Sequence, residues 1–126
     1  MIMITGGAFQ GKRGFVSSRF GLNEADMLDA GSADIGKLMT ARCVYNFELA
    51  VKRIIEQGGD PVDFARRCDI GIVIINEIGC GIIPLDRSER EWRELTGRAG
   101  CVIAERSDAV YRLCCGIPVK IKGNDT

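Results

Sequence analysis

The sequence predicts an α/β fold: a mostly parallel sheet flanked by helices, closed at its carboxyl-terminal end by an antiparallel strand pair. Three observations predict it. Short apolar, β-branched runs alternate along the chain with segments of helical periodicity. One such run, Ile70 to Asn76, is apolar at nearly every position, as a strand covered on both faces must be. Two glycine-rich stretches, Gly6 to Gly11 and Gly79 to Gly81, directly follow strand-like runs, and the carboxyl ends of parallel strands are where such sheets hold ligands. At 126 residues, the chain is expected to form one domain, residues 1–126, with room for a real core.

Met1 to Thr5 is short, apolar and partly β-branched, a first strand that stops at the glycines. Lys12 to Phe20 follows as a helix, weakened by Gly14 in its first turn. A brief strand is expected around Ala25 to Asp29, running into the loop-like "DAGSAD". From Arg42 to Gln57, Val44, Phe47, Val51, Ile54 and Ile55 recur at helical spacing and predict one amphipathic helix, ended by Gly58-Gly59. Asp60 then Pro61 reads as a cap and first helical residue, with Phe64, Ala65 and Cys68 inward. Ser88 to Glu91 fits the S-x-x-E capping box of another helix. Its inward stripe is Trp92, Leu95, Ala99, Val102 and Ile103, with Gly97 and Gly100 as weak points, and Arg87, Arg90, Arg93 and Arg98 form a solvated face. The closing "AVYRLCCGIPVKIKG" predicts two strands around Gly116 to Pro118.

Composition narrows the function. Lys plus Arg and Asp plus Glu both number 17, giving zero net charge, which argues against the broad positive field of a nucleic-acid binder. No apolar run approaches a membrane span and the amino terminus shows no signal pattern, so no membrane span is expected. The six cysteines contain no C-x-x-C pair and there is no histidine, so no zinc site is expected. Reduced thiols in a cytoplasmic protein are the natural reading.

The chemistry concentrates in Gly6-Gly7-Ala8-Phe9-Gln10-Gly11-Lys12, which satisfies G-x-x-x-x-G-K. In a phosphate loop the glycines let backbone N–H groups turn onto phosphate, the following helix amino terminus adds its dipole, and the lysine reaches the β- and γ-phosphates. The residue after the lysine is normally a Ser or Thr whose hydroxyl holds Mg²⁺, and here it is Arg13. Gly6 to Arg13 are therefore the candidate nucleotide-binding residues, for ATP or GTP with Mg²⁺. Glu77, after the central strand, is the candidate general base or metal ligand, its plain alternative being to cap the next turn. Asp29, at the end of the second strand, is a weaker candidate of the same kind.

The stretch "IVIINEIGCGIIPLDRSEREWRELTGRAG", followed by "SDAVYRLCCGIPVKIKG", resembles the carboxyl-terminal half of the bifunctional adenosylcobinamide kinase/adenosylcobinamide-phosphate guanylyltransferase family, as does "ITGGAFQGKR" its amino terminus. The resemblance implies a RecA-like core with a phosphate loop, trimers, and a place in cobalamin assembly or salvage. It implies phosphorylation of the aminopropanol hydroxyl of adenosylcobinamide, then transfer of GMP from GTP by way of a guanylylated histidine. It aligns Asp29 with a nucleotide-contacting acidic residue. The sequence departs from the family in being shorter, in having Arg13 for the phosphate-loop Ser, and in reading Gly97-Arg98-Ala99-Gly100-Cys101 where the family has G-R-x-N-Q. With no histidine, a histidine-linked guanylyl intermediate cannot form on this chain. The expectation is a pared-down kinase in which Lys12 and Glu77 act on nucleotide and corrinoid. The alternatives are a non-catalytic nucleotide-binding partner subunit and a guanylyltransferase working by direct transfer.

Overall fold

In the computed structural model, residues 1–7, 11–78 and 86–123 are described. Six strands form one sheet in the order β2-β3-β4-β1-β5-β6. They are β1 (Ile2–Gly6), β2 (Met27–Asp29), β3 (Cys43–Tyr45), β4 (Ile72–Asn76), β5 (Ala109–Cys114) and β6 (Ile117–Lys122). Five run parallel, and β6 returns antiparallel to β5. The expected mostly parallel sheet with a closing antiparallel pair is thus the observed one.

The sheet separates two cores because successive strand residues face opposite ways. Met3 of β1 with Val73 and Ile75 of β4 face Phe47, Ala50, Val51, Ala65, Ala99 and Ile103. These come from helices α3 (Phe47–Glu56), α4 (Pro61–Arg67) and α5 (Arg87–Arg106). Ile4 with Ile72 and Ile74 face the other way, onto Val16 and Leu22, under α1 (Lys12–Phe20). The continuous apolar run in β4 is the signature of this two-sided burial.

Helix ends follow local chemistry. Gly11 and Gly21, both left-handed, bracket α1 at the expected bounds. Gly58 and Gly59 close α3 by donating to the carbonyls of Ile55 and Ile54, the doubly bonded glycine ending common to helices. Asp60 caps α4 by accepting from the amides of Val62 and Asp63.

Two expectations are corrected, and one short helix is added. Arg42 to Gln57 is not one helix: Cys43–Tyr45 is β3, Asn46 turns the chain with φ 57, and α3 starts at Phe47. Val44 and Phe47 bury into the same core, one from the sheet and one from the helix, so their spacing mimicked one helical face. The cap of α5 is Asp86, which accepts from the Glu89 amide and from the Ser88 hydroxyl, because an aspartate one position before the helix is already placed to take the free amides. Asp34 caps a further short helix, α2 (Ile35–Leu38), just past the "DAGSAD" loop. Despite Gly97 and Gly100, α5 runs unbroken for 20 residues, and Gly100 faces Ile75 and Met3 at ordinary packing distance. The β5–β6 turn is Cys115-Gly116, with φ 52 and 77, the two positive angles of a tight hairpin turn. Beyond it the edge strand leaves Ile117, Val119 and Ile121 exposed.

Candidate functional site

All five parallel strands deliver their carboxyl ends to one side of the molecule, and the polar residues of the site are those that end them or follow them. β1 closes at Gly6, in strict register with Leu113 of β5. Gly6 has φ 146, and a Cβ there would lie 2.6 Å from the Leu113 carbonyl oxygen. Gly7 follows; Ala8, Phe9 and Gln10, expected to bind nucleotide, lie outside the described residues, as do Gly79 to Gly81. Gly11, with φ 79, begins α1 and offers no side-chain cap. Among the described residues no side chain accepts from the first amides of this nine-residue helix, which carry the positive end of its dipole.

Lys12 opens α1 and is only 6% exposed. Its ammonium donates to the Gly7 carbonyl, across the base of the loop. Burial pushes its pKa below the ordinary lysine range, opposed by the carboxylates of Glu48 and then Glu77. The Arg13 guanidinium lies 4.5 Å from the centre of the Tyr45 ring, so it reaches along the strand ends toward the end of β3.

Glu77 is tied to β1 by its own amide, which donates to the Gly6 carbonyl at 2.8 Å. Its carboxylate accepts from Arg112 Nε at 2.7 Å and Nη2 at 3.1 Å. Those bonds hold the carboxyl below the usual carboxylate range against the opposing effect of burial, with the Arg112 and Lys12 charges helping. A carboxylate held ionised in this way is a poor proton acceptor at neutral pH. Because the folded pKa is depressed, the pair stabilises the fold above the ordinary Glu value near 4.5 and its contribution disappears as pH falls below it. Both partners are half exposed, so the effect is small. Arg112→Leu should flatten the acid side of the stability–pH curve slightly; a midpoint that shifts equally at pH 7 and pH 3 would contradict this.

A second network spans the strand ends beyond β1. Glu48, in the first turn of α3, is 4% exposed. It accepts from the Asn76 backbone amide and from Asn76 Nδ2, each at 2.9 Å. Asn76 Nδ2 also donates to Asn46 Oδ1 at 3.3 Å, and Asn46 Nδ2 donates to Asp29 Oδ1 at 3.2 Å. Asp29 Oδ1 further accepts from the Gly31 amide. Trp92 Nε1 pins α5 to this edge by donating to the Glu48 carbonyl at 2.8 Å. Glu48→Gln leaves one of these acceptors as a donor and should cost about 1–3 kcal/mol in urea unfolding; an unchanged midpoint would show the network to be dispensable.

The structure thus puts Lys12 and Glu77 within electrostatic reach of one another, while the Arg13 side chain lies over Tyr45 at the end of β3. It puts Asp29 on β2 at the sheet edge, with β3 and β4 between it and β1, joined to Glu48 only through Asn46 and Asn76. Sequence reasoning missed Glu48, Asn46 and Arg112. Glu48 did leave a trace, as a lone acid within the apolar stripe of α3. Arg112 left none, since its partner lies 35 positions away.

These donors do not fit a Mg²⁺ ligated by the first turn of the helix. A guanidinium side chain stands where the hydroxyl ligand is expected, Glu77 is engaged by Arg112, and both Glu48 oxygens by Asn76. Among the described residues no cluster of three or more His, Cys, Asp or Glu is arranged to hold a metal ion.

Part of the chain is similar to known proteins. The bifunctional adenosylcobalamin biosynthesis protein CobU of Salmonella typhimurium is 40% identical over 58 residues, covering 45% of this chain and 32% of that protein. The protein of the same name from Escherichia coli is 38% identical over 58 residues, again 45% of this chain and 32% of its own length. The alignments therefore span about a third of these curated relatives. The profile of the CobU family, cobinamide kinase / cobinamide phosphate guanyltransferase, matches residues 24–121. That match starts after the glycine turn, so the likeness at Gly6 to Lys12 rests on those residues themselves. It covers β2 through nearly all of β6, and the chain belongs to the cobinamide kinase / cobinamide phosphate guanyltransferase family.

Proposed function

We propose that the chain binds a nucleoside triphosphate, ATP or GTP, at the β1–α1 turn and transfers its γ-phosphoryl group to the aminopropanol hydroxyl of an adenosylcobinamide-type corrinoid. One observation carries the reading: Lys12 is buried, with its ammonium on the Gly7 carbonyl, at the start of a helix whose first amides have no side-chain acceptor among the described residues. Burying a cation is costly, and a turn that holds one beside free amides suits a polyanion.

Phosphoryl transfer asks mainly for positioning and charge stabilisation, with no covalent intermediate. The α1 amides and Lys12 would hold the β- and γ-phosphates and take up charge as the terminal bond breaks. Glu77, fixed by Arg112, would accept a hydrogen bond from the attacking hydroxyl and so orient it, the proton passing to the transferred phosphoryl oxygens or to water as the new O–P bond forms. Asp29 is too far along the sheet to touch the same phosphates and would meet another part of nucleotide or acceptor. Mg²⁺, expected with the nucleotide, would be carried on the phosphates rather than by a hydroxyl of the turn. A cytoplasmic setting and self-association, as a trimer by the resemblance, belong to this reading. No helix among the described residues is long and apolar enough to cross a membrane, and zero net charge suits a small-molecule substrate better than nucleic acid.

The ion-paired state of Glu77 and the presence of Arg13 favour a second reading, a relative that binds nucleotide without turning it over and serves a partner enzyme. Incubation with adenosylcobinamide, Mg²⁺ and γ-labelled ATP or GTP separates the two. Label on the corrinoid supports the kinase. Tight nucleotide binding with no transfer of label overturns it in favour of the second reading.

A further inference from the structure

We infer that Arg13 is a built-in counter-ion for the nucleotide phosphates, so that this turn binds nucleoside triphosphate without needing Mg²⁺. The inference rests on the nucleotide-binding reading above and concerns how that same site neutralises its ligand.

Four observations lead to it. Arg13 occupies the first turn of α1 directly after Lys12, at the position from which a phosphate-loop hydroxyl meets the metal. Its guanidinium reaches over Tyr45, at the carboxyl end of β3, so it lies along the strand ends rather than pointing away from them. No carboxylate among the described residues is within ion-pair distance of it, which leaves its charge uncommitted. And the carboxylates that would otherwise draw a metal to this edge are already engaged, Glu77 by Arg112 and Glu48 by Asn76.

The energetic ordering is favourable. An exposed cation–π contact is weak, whereas a guanidinium on phosphate forms two parallel charge-assisted hydrogen bonds. The tyrosine face therefore keeps the long side chain over the site in the free protein, lowering the ordering cost, and releases it when phosphate arrives. A permanent positive charge at this point does for the ground state what a diffusible cation does elsewhere.

The test is a fluorescence titration of the whole chain with N-methylanthraniloyl-labelled ATP and GTP, in excess EDTA and in excess Mg²⁺. The wild-type Kd in EDTA should lie within about threefold of that in Mg²⁺. Arg13→Ser should weaken binding in EDTA by at least about tenfold, with Mg²⁺ restoring it, and Arg13→Lys should fall between. Arg13 is exposed, so these variants are expected to fold, which circular dichroism checks. Wild-type binding that collapses in EDTA, or Arg13→Ser that binds like wild type there, overturns the inference alone. Absence of binding in both conditions overturns the nucleotide reading and the inference with it.

Discussion

Lys12→Met is expected to remove nucleotide turnover and to raise the stability of the protein. The ammonium is buried, donates to one loop carbonyl, and makes no close ion pair among the described residues. Its neighbouring carboxylates act at a distance, and burial outweighs them, since the lysine pKa is lowered overall. A methionine of similar length would fill the space without the desolvation cost, so the unfolding free energy should rise by about 0.5–2 kcal/mol. On the kinase reading, transfer of the terminal phosphoryl group would lose its main side-chain cation in the same step. A preorganised charge of this kind is worth about a hundredfold or more in rate. Turnover unchanged in Lys12→Met would sink the kinase reading. A fall in both stability and turnover would show that Lys12 is structural, held by its carbonyl contact.

Gly6→Ala is expected to be the most destabilising single methyl group that can be added to this sheet. The new Cβ would sit 2.6 Å from a backbone oxygen of β5, in a conformation with φ 146 that side chains avoid. The clash is with main chain, so no rotamer change relieves it. Either β5 withdraws from β1, breaking the register Gly6↔Leu113, or the turn leaves its conformation. Strain and lost pairing together should cost about 4 kcal/mol or more. The midpoint of thermal unfolding should fall by roughly 10–20 °C. A fall of only a few degrees would mean that β5 yields easily and that its place in the sheet is loosely held. Gly11→Ala is the comparison, because only its positive φ is at stake and nothing lies within 4 Å of the added atom.

What the sequence disclosed follows from the range of the forces involved. α1 was legible to the residue because glycine marks both ends within its own nine-residue span. β4 was legible because burial on both faces leaves an unbroken apolar run. β3 was not, since three residues carry too little pattern to separate from the helix behind them, and their pairing to β2 and β4 is decided by distant partners. The same divide runs through the site. Lys12 announces itself through a local motif. Glu48 depends on Asn76, 28 positions on, and Glu77 on Arg112, 35 positions on; a linear reading sees only isolated polar residues there. Trp92 appeared as one more member of an apolar stripe, yet its indole N–H fixes the helix to the site edge.

The steric demand at position 6 bears on how this lineage's history can be read. Glycine is required there by the neighbouring strand, whatever the turn does for a ligand. A descendant that had abandoned nucleotides would still be obliged to keep Gly6, so its survival records the architecture of the sheet and nothing about a vanished trade. Lys12 is under the opposite obligation: the fold would be better off without it, and drift would discard it early. Across relatives of this chain, the lysine rather than Gly6 is the residue whose fate would report on nucleotide binding.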